Sequence, residues 1–178
     1  ERMVQWSPDG RSLVYAAERN DNWDIYKASI NRKEEPYFYA STVITEEPLI
    51  ATPAEEYQPK YSPDGKEIAF VAERNILKVY NLSSRQTRTL LPEGRNYSYS
   101  DGDWDFNWSP DSKWMITDDS EGAWFSGNAA LIKADGSGEI QHPIKSGFGQ
   151  GNPKWALDGK AMVWASAKEG RKSLALQG

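Results

Sequence analysis

Trp6-Ser7-Pro8-Asp9-Gly10 returns as Tyr61-Ser62-Pro63-Asp64-Gly65, again as Trp108-Ser109-Pro110-Asp111-Ser112, and in weaker form as Trp155-Ala156-Leu157-Asp158-Gly159. The leading aromatics stand 55, 47 and 47 residues apart. A period of roughly 40 to 50 residues marks stacked supersecondary units, none of which buries its apolar face alone. Pro in the second position presets φ for a turn, and Asp suits the third. Gly in the fourth takes the left-handed conformation that closes a hairpin with a bulge. An apolar run follows each phrase: Leu13–Ala17, Ile68–Ala72, Trp114–Thr117 and Ala161–Trp164. These runs are short and rich in β-branched and aromatic residues, as in strands buried on both faces. Each phrase is therefore a hairpin between a strand ending in an aromatic residue and a buried second strand.

Two more strands complete each unit. Third strands are expected at Trp23–Ala28, Leu77–Leu82 and Ala130–Ala134, each followed by a polar turn. Fourth strands are expected at Thr42–Thr45 with Leu49–Ala51, at Thr87–Leu91 and at Glu139–Ile144. No stretch has sustained helical periodicity. Four antiparallel strands per repeat describe a blade of a β-propeller, so the fold class is all-β. The expected organisation is one propeller domain or partial propeller over 1–178, with blades at about 1–52, 53–100, 101–147 and 148–178. The last blade has room for three strands. The chain opens without Met, at the start of a strand, and ends before a fourth strand of its last unit. A segment of a longer propeller, or a truncated product, is the expectation. A four-bladed ring with an incomplete last blade is the alternative, and two copies covering each other's open sheet edges would self-associate.

The Trp-Ser-Pro-Asp-Gly phrase, the apolar strand after it and Asp24-Ile25-Tyr26 resemble the TolB-like, WD-type propeller repeat over essentially the whole chain. The stretch from Asp135-Gly136-Ser137-Gly138 through Gly147–Trp155 to Trp164 is most similar to the N-terminal propellers of tricorn-type (C-terminal-processing-like) serine peptidases. The resemblance implies a periplasmic or otherwise extracytoplasmic protein of a Gram-negative bacterium. It also implies a propeller that admits substrate or binds a partner while catalysis happens elsewhere.

Composition agrees. Eight Trp and nine Tyr in 178 residues supply the aromatic mass that packing between blades requires. The net charge of −5 argues against nucleic acid as a partner. There is no Cys, hence no disulfide, thiol catalysis or zinc–thiolate site. No apolar segment approaches the length that crosses a membrane.

The search for chemistry returns structural explanations. Ser-His-Asp catalysis needs a His, and the only one, His142, precedes Pro143 on an expected outer strand. No nucleophile elbow occurs. Gly147-Phe148-Gly149-Gln150-Gly151 does not fit the dinucleotide fingerprint and is expected to be a flexible connector. Asn81-Leu82-Ser83 and Asn96-Tyr97-Ser98 match a glycosylation triplet that is common by chance. Asp101-Gly102-Asp103-Trp104-Asp105 opens like a calcium loop, but Phe106 stands where the turn Gly belongs and Ser112 where the bidentate Glu belongs. Asp9, Asp64, Asp111 and Asp158 are turn formers. No catalytic residue, cofactor or metal site is expected.

Geometry then divides the molecule. One side of a four-stranded meander carries the Pro-Asp-Gly turns and short polar hairpins. The other carries the second-to-third loops and the connectors between blades, with Asn20–Trp23, Arg95–Trp104, Ser120–Phe125 and Ser146–Asn152. Aromatic loops of varying length on a rigid scaffold are where binding concentrates. The candidate partner face is Trp23, Tyr97, Tyr99, Asp101, Asp103, Trp104, Glu121, Trp124, Phe125 and Phe148. The competing reading tucks Trp23, Trp104 and Trp124 into grooves between blades. The expected function is a non-catalytic module for peptide or protein binding or substrate admission, within a larger tricorn-type peptidase. The alternative is a stand-alone TolB-like scaffold for protein–protein interaction. Cationic or peptide-like ligands suit the acidic loops. A propeller lyase or glycan-binding enzyme would need a cluster of His or carboxylate metal ligands that one His does not supply.

Overall fold

The computed structural model describes residues 1–30, 44–91, 106–119, 128–143, 149–156, 158–168 and 171–177, all strand, turn or extended chain. They build four antiparallel sheets in two compact units, one centred on Glu1–Arg88 and one on Trp104–Gly178. The first unit holds the sheet β1 (Arg2–Trp6), β2 (Ser12–Arg19), β3 (Asn22–Ile30) and β4 (Ile44–Ile50), and the sheet β5 (Glu56–Tyr61), β6 (Glu67–Ala72), β7 (Ile76–Asn81) and β8 (Thr87–Thr89). The second holds β9 (Phe106–Trp108), β10 (Trp114–Asp119), β11 (Asn128–Lys133) and β12 (Ile140–Gln141), and the three-stranded sheet β13 (Gly149–Trp155), β14 (Met162–Lys168) and β15 (Arg171–Gln177). Neighbours in every sheet are consecutive in sequence, which makes each one a meander of hairpins. No helix among the described residues is long and apolar enough to cross a membrane.

The apolar runs explain the layers. Ile68, Ala69, Phe70, Val71 and Ala72 are all buried, so β6 presents side chains to covered space on both faces. In the first unit Val14, Ile25 and Ile50 pack against Ile68, Phe70, Ala72 and Tyr80 of the following sheet. In the second unit Ile116, Ala129 and Leu131 meet Met162 and Trp164, flanked by Trp114 and Trp155. Each fully buried side chain of this size contributes about 1.5 to 3 kcal/mol.

The remaining face of the first sheet is partly polar. Tyr15 and Tyr26 stack at 6.3 Å, and the Arg19 guanidinium lies 4.2 Å over the Tyr26 ring. Arg19 also pairs with Glu46 at 2.6 Å, and Glu46 accepts the Tyr15 hydroxyl. Burial first, and then Glu46, push the Tyr15 pKa far above the phenol range. Val4, Trp6 and Ile44, the exposed large apolar residues among those described, all belong to this sheet. Trp6 is 55% exposed although its counterpart Trp108 is buried. Tyr61, the counterpart in the second sheet, packs against the cluster that Val14, Ile25 and Ile50 of the first sheet help to build.

The repeated phrase folds as a clip around a buried serine. Ser62 Oγ donates to Asp64 Oδ1 at 2.6 Å and accepts the Glu67 amide at 3.0 Å. Asp64 Oδ1 accepts the Lys66 amide, and the Gly65 amide donates to the Ser62 carbonyl. The same bonds recur at Ser7-Asp9 and at Ser109-Asp111. The turn-forming role expected of the aspartates holds at all four turns, since Asp158 accepts the Lys160 amide at 3.0 Å. Ala156 lacks the hydroxyl, so the fourth turn has no counterpart of the serine-to-aspartate bond, and its described bonds are that one and the backbone pair between Ala156, Gly159 and Ala161. Gly10, Gly65, Gly159 and Ser112 all take positive φ, between 61° and 72°.

A feature with no sequence signature lies in the first strands. Met3 (φ 58°) and Gln58 (φ 51°) are left-handed bulge residues, each three positions before the aromatic of its phrase. The β13 register slips at the same place, between Gly151 and Lys154.

Several boundaries differ from expectation. β4 runs unbroken through Glu46, Glu47 and Pro48. Pro48 is tolerated because β4 is the outermost strand of its sheet. β8 and β12 are shorter than expected, at three and two residues. Gly149–Gly151 is not a connector but pairs with Ala165–Ala167 as the start of β13.

Candidate functional site

The described part of the connector side is in the first unit, where the β2–β3 hairpin, the 51–55 connector and the β6–β7 turn converge. Arg19 pairs with Asn22, leaving the two-residue turn Asn20-Asp21 with both φ positive (54° and 61°). That is the mirror-image turn that matches strand twist, and Asn and Asp are suited to it. The β6–β7 turn is less comfortable. Glu73 and Arg74 are both left-handed (φ 51° and 65°), although each carries a long side chain. Left-handed backbone costs about 1 to 2 kcal/mol per such residue. Surrounding contacts hold it: the Glu73 amide donates to the Glu55 carbonyl at 2.9 Å, and Arg74 Nε donates to Glu55 Oε2 at 3.2 Å.

These turns assemble a four-membered stack. The Arg2 guanidinium lies 5.4 Å from the Trp23 ring, Trp23 lies 5.6 Å from Tyr57, and the Arg74 guanidinium lies 5.7 Å from Tyr57. Two cations thus bracket two rings, each at cation–π distance. Arg2 and Arg74 are exposed, Trp23 is half-buried and Tyr57 is buried. Burial, followed by Glu55, raises the Tyr57 pKa above its usual value.

A polar cluster adjoins the stack. Asn22 Nδ2 donates to Asp24 Oδ1 at 2.9 Å and to the Thr52 and Ala54 carbonyls at 2.8 and 3.3 Å, tying hairpin to connector. Glu56 is 1% exposed. Its carboxyl group accepts the Thr52 hydroxyl and amide, and Asp24 is within hydrogen-bonding reach. Burial is the main cause, and Asp24 a lesser one, that pushes the Glu56 pKa up to about 7. Burial thus favours the neutral form of the Glu56 carboxyl group, and the neighbouring Asp24 adds to that preference.

Of the expected partner-face residues, Trp23 is described, and its ring lies against Tyr57 of the next sheet, as the groove reading required. Tyr97, Tyr99, Asp101, Asp103, Trp104, Glu121, Trp124, Phe125 and Phe148 lie outside the described residues. Arg2, Tyr57, Arg74 and the Asp24–Glu56 pair were not singled out in the sequence. Nothing local marks them: they are brought together by pairing across two sheets. The described surface is mixed in charge: Arg2 and Arg74 stand beside Asp24 and Glu55. His142 is exposed just beyond β12. Among the described residues no three His, Cys, Asp or Glu side chains gather as a metal would need.

No family profile matches the chain, and no curated protein matches it. Solved structures do. TolB from Acinetobacter baumannii superposes over 99% of this chain with a TM-score of 0.69 and 20% identity. The fold is that of a β-propeller. A TolB described from Agrobacterium tumefaciens matches over 99% at TM-score 0.64 and 18% identity, and the tricorn protease over 97% at 0.63 and 9%. At these identities the likeness is one of fold. This propeller chain spans 40% and 60% of the length of the two TolB chains and 16% of the tricorn protease.

Proposed function

We propose that the chain is part of a non-catalytic propeller that binds a peptide or protein on its connector side, and that its two units belong to one propeller. The Arg2–Trp23–Tyr57–Arg74 stack carries this reading. Strained backbone at Glu73 and Arg74 is maintained by surrounding contacts, and it presents an exposed cation next to rigid aromatics. Such outliers concentrate at functional sites, and Arg and aromatic residues dominate the energetics of protein interfaces. On the opposite side, the three Ser-Pro-Asp turns spend their serine and aspartate side chains on their own hydrogen bonds. An extracytoplasmic setting fits the TolB fold neighbours.

Within this reading, the narrower assignment is the substrate-admitting propeller of a tricorn-type peptidase. A stand-alone TolB-like scaffold is the second reading, favoured by the higher TM-scores of the two TolB structures. A serine-peptidase domain in the same coding sequence supports the first, and a stop soon after the propeller supports the second. Binding itself is tested with immobilised peptide pools and calorimetry on the purified chain. Arg74→Ala and Trp23→Ala are expected to weaken binding about tenfold, Arg74→Ala with an unfolding midpoint within the range of surface substitutions and Trp23→Ala with some loss of stability from its packing on Tyr57. Undiminished binding by both variants, or a partner that protects the Pro-Asp-Gly turns from hydrogen exchange, defeats the assignment.

A further inference from the structure

We propose that Asp24 and Glu56 form a proton-operated latch that holds Trp23 against Tyr57. The carboxyl groups sit at the two places where the stack is built. Asp24 follows Trp23 at the start of β3, and Glu56 precedes Tyr57 at the start of β5. With one shared proton, the Glu56 carboxyl group donates to the Asp24 carboxylate and ties the two strand starts together. When that proton leaves to solvent, two negative charges face each other inside a site from which Glu56 has almost no access to water. They separate or draw in water, and the strand starts that carry the rings move with them.

The surrounding groups do not neutralise the pair. Asn22 already donates to Asp24, and Thr52 to Glu56. Arg74 from the β6–β7 turn is directed to Glu55 and the Tyr57 hydroxyl, and Arg2 from β1 to the Trp23 ring. Asp24 is the charged group that acts on the Glu56 proton. The elevated Glu56 pKa of about 7 places the change in the physiological range. Regulation of binding by the latch rests on the proposed function, but the movement of the rings does not.

The test uses the fluorescence of the wild-type chain minus that of Trp23→Phe, followed from acidic to mildly alkaline pH without ligand. A sigmoidal change centred near 7 is expected. Glu56→Gln keeps a donor toward Asp24 and abolishes the change. Asp24→Asn removes the opposing charge and moves the midpoint to lower pH. A difference signal that is flat with pH, or the same transition in Glu56→Gln, overturns the latch. If Glu56→Gln does not fold, an unmoved midpoint in Asp24→Asn overturns it instead. Calorimetry with the peptide pools on both sides of the transition forms a separate arm. Absence of binding at either pH defeats the proposed function and leaves the fluorescence result standing.

Discussion

The Tyr61 hydroxyl lies 3.1 Å from Ser12 Oγ, joining the first strand of the second sheet to the second strand of the first. The equivalent meeting in the other unit is different. Trp155 takes the place of Tyr61 and Trp114 that of Ser12, both at the edge of the same apolar cluster. Trp155 Nε1 is buried there without an acceptor. One inter-sheet seam has a hydrogen bond at this place, where the other has two indole rings at the edge of an apolar cluster.

Tyr61→Phe and Ser12→Ala should each lower stability by about 1 kcal/mol, and the double variant by little more than either. Denaturant midpoints of the four proteins check this. Additive losses would show that the two hydroxyls act independently.

The four turns should respond differently to a methyl group. Every fourth position is left-handed, so Gly→Ala costs roughly 1 kcal/mol at each. At Gly159 the added Cβ would also lie 3.3 Å from Pro110 Cγ, whereas at Gly10 nothing stands within 4 Å. Gly159→Ala should therefore destabilise more than Gly10→Ala, with Gly65→Ala between them. Ser112→Gly should stabilise, because Ser112 holds φ at 61° with a Cβ in place. Thermal midpoints of the four variants give the order.

Ala156→Ser should restore the missing clip. In the other turns the hydroxyl joins the aspartate to the amide of the second strand, and a net gain of about 0.5 to 1.5 kcal/mol is expected. Ser62→Ala, at a fully buried position with two bonds to lose, should cost more than that. No gain in the unfolding midpoint of Ala156→Ser would mean that the fourth turn has relaxed to a geometry the hydroxyl cannot complete.

Stability should fall on both sides of an acidic optimum. Glu56 has a folded pKa raised to about 7 from 4.5, so the unfolded chain releases this proton first as pH rises. Its contribution is complete below about 4.5 and is lost through neutrality, by about 3 kcal/mol at most. The turn aspartates act with the opposite sign. Ser7 and Ser109 hydroxyls hold the Asp9 and Asp111 pKa values below the usual range, and Asp64 is lowered by Ser62 and Lys66 against the opposing effect of burial. Asp135 is lowered to about 2, chiefly by Ser137. Their stabilisation is present above the ordinary carboxylate range and disappears as pH falls through the folded values. Urea titrations across pH should show both limbs, with Glu56→Gln flattening the neutral one alone.

The sheets were legible because their causes are local. The Pro-Asp-Gly phrase specifies a hairpin within five residues, and the apolar run after it specifies a buried strand. Outer strands were placed less well, since β8 and β12 are short and half-exposed and little in their composition separates them from loop. Gly149–Gly151 carried a loop composition into a strand because pairing with Ala165–Ala167 overrides propensity. The stack and the carboxyl pair were not legible at all. Arg2, Trp23, Tyr57 and Arg74 span 73 residues, and neither Glu56 nor Asp24 differs locally from a solvated acid. Trp23 was found by its loop position, which topology alone supplies.

The serine clips also set an order of events. Each closes a loop of five residues, and such short closures cost little chain entropy and occur long before sheets can dock. The hairpins at Ser7, Ser62 and Ser109 are thus formed before the cores that bury them. Their serine-to-aspartate bonds define register while the strands are still wet. The hairpin at Ala156 has no such early restraint. Its strands rely on Trp155, Met162 and Trp164 packing on the preceding sheet, so of the four phrase hairpins it is expected to commit last and open first.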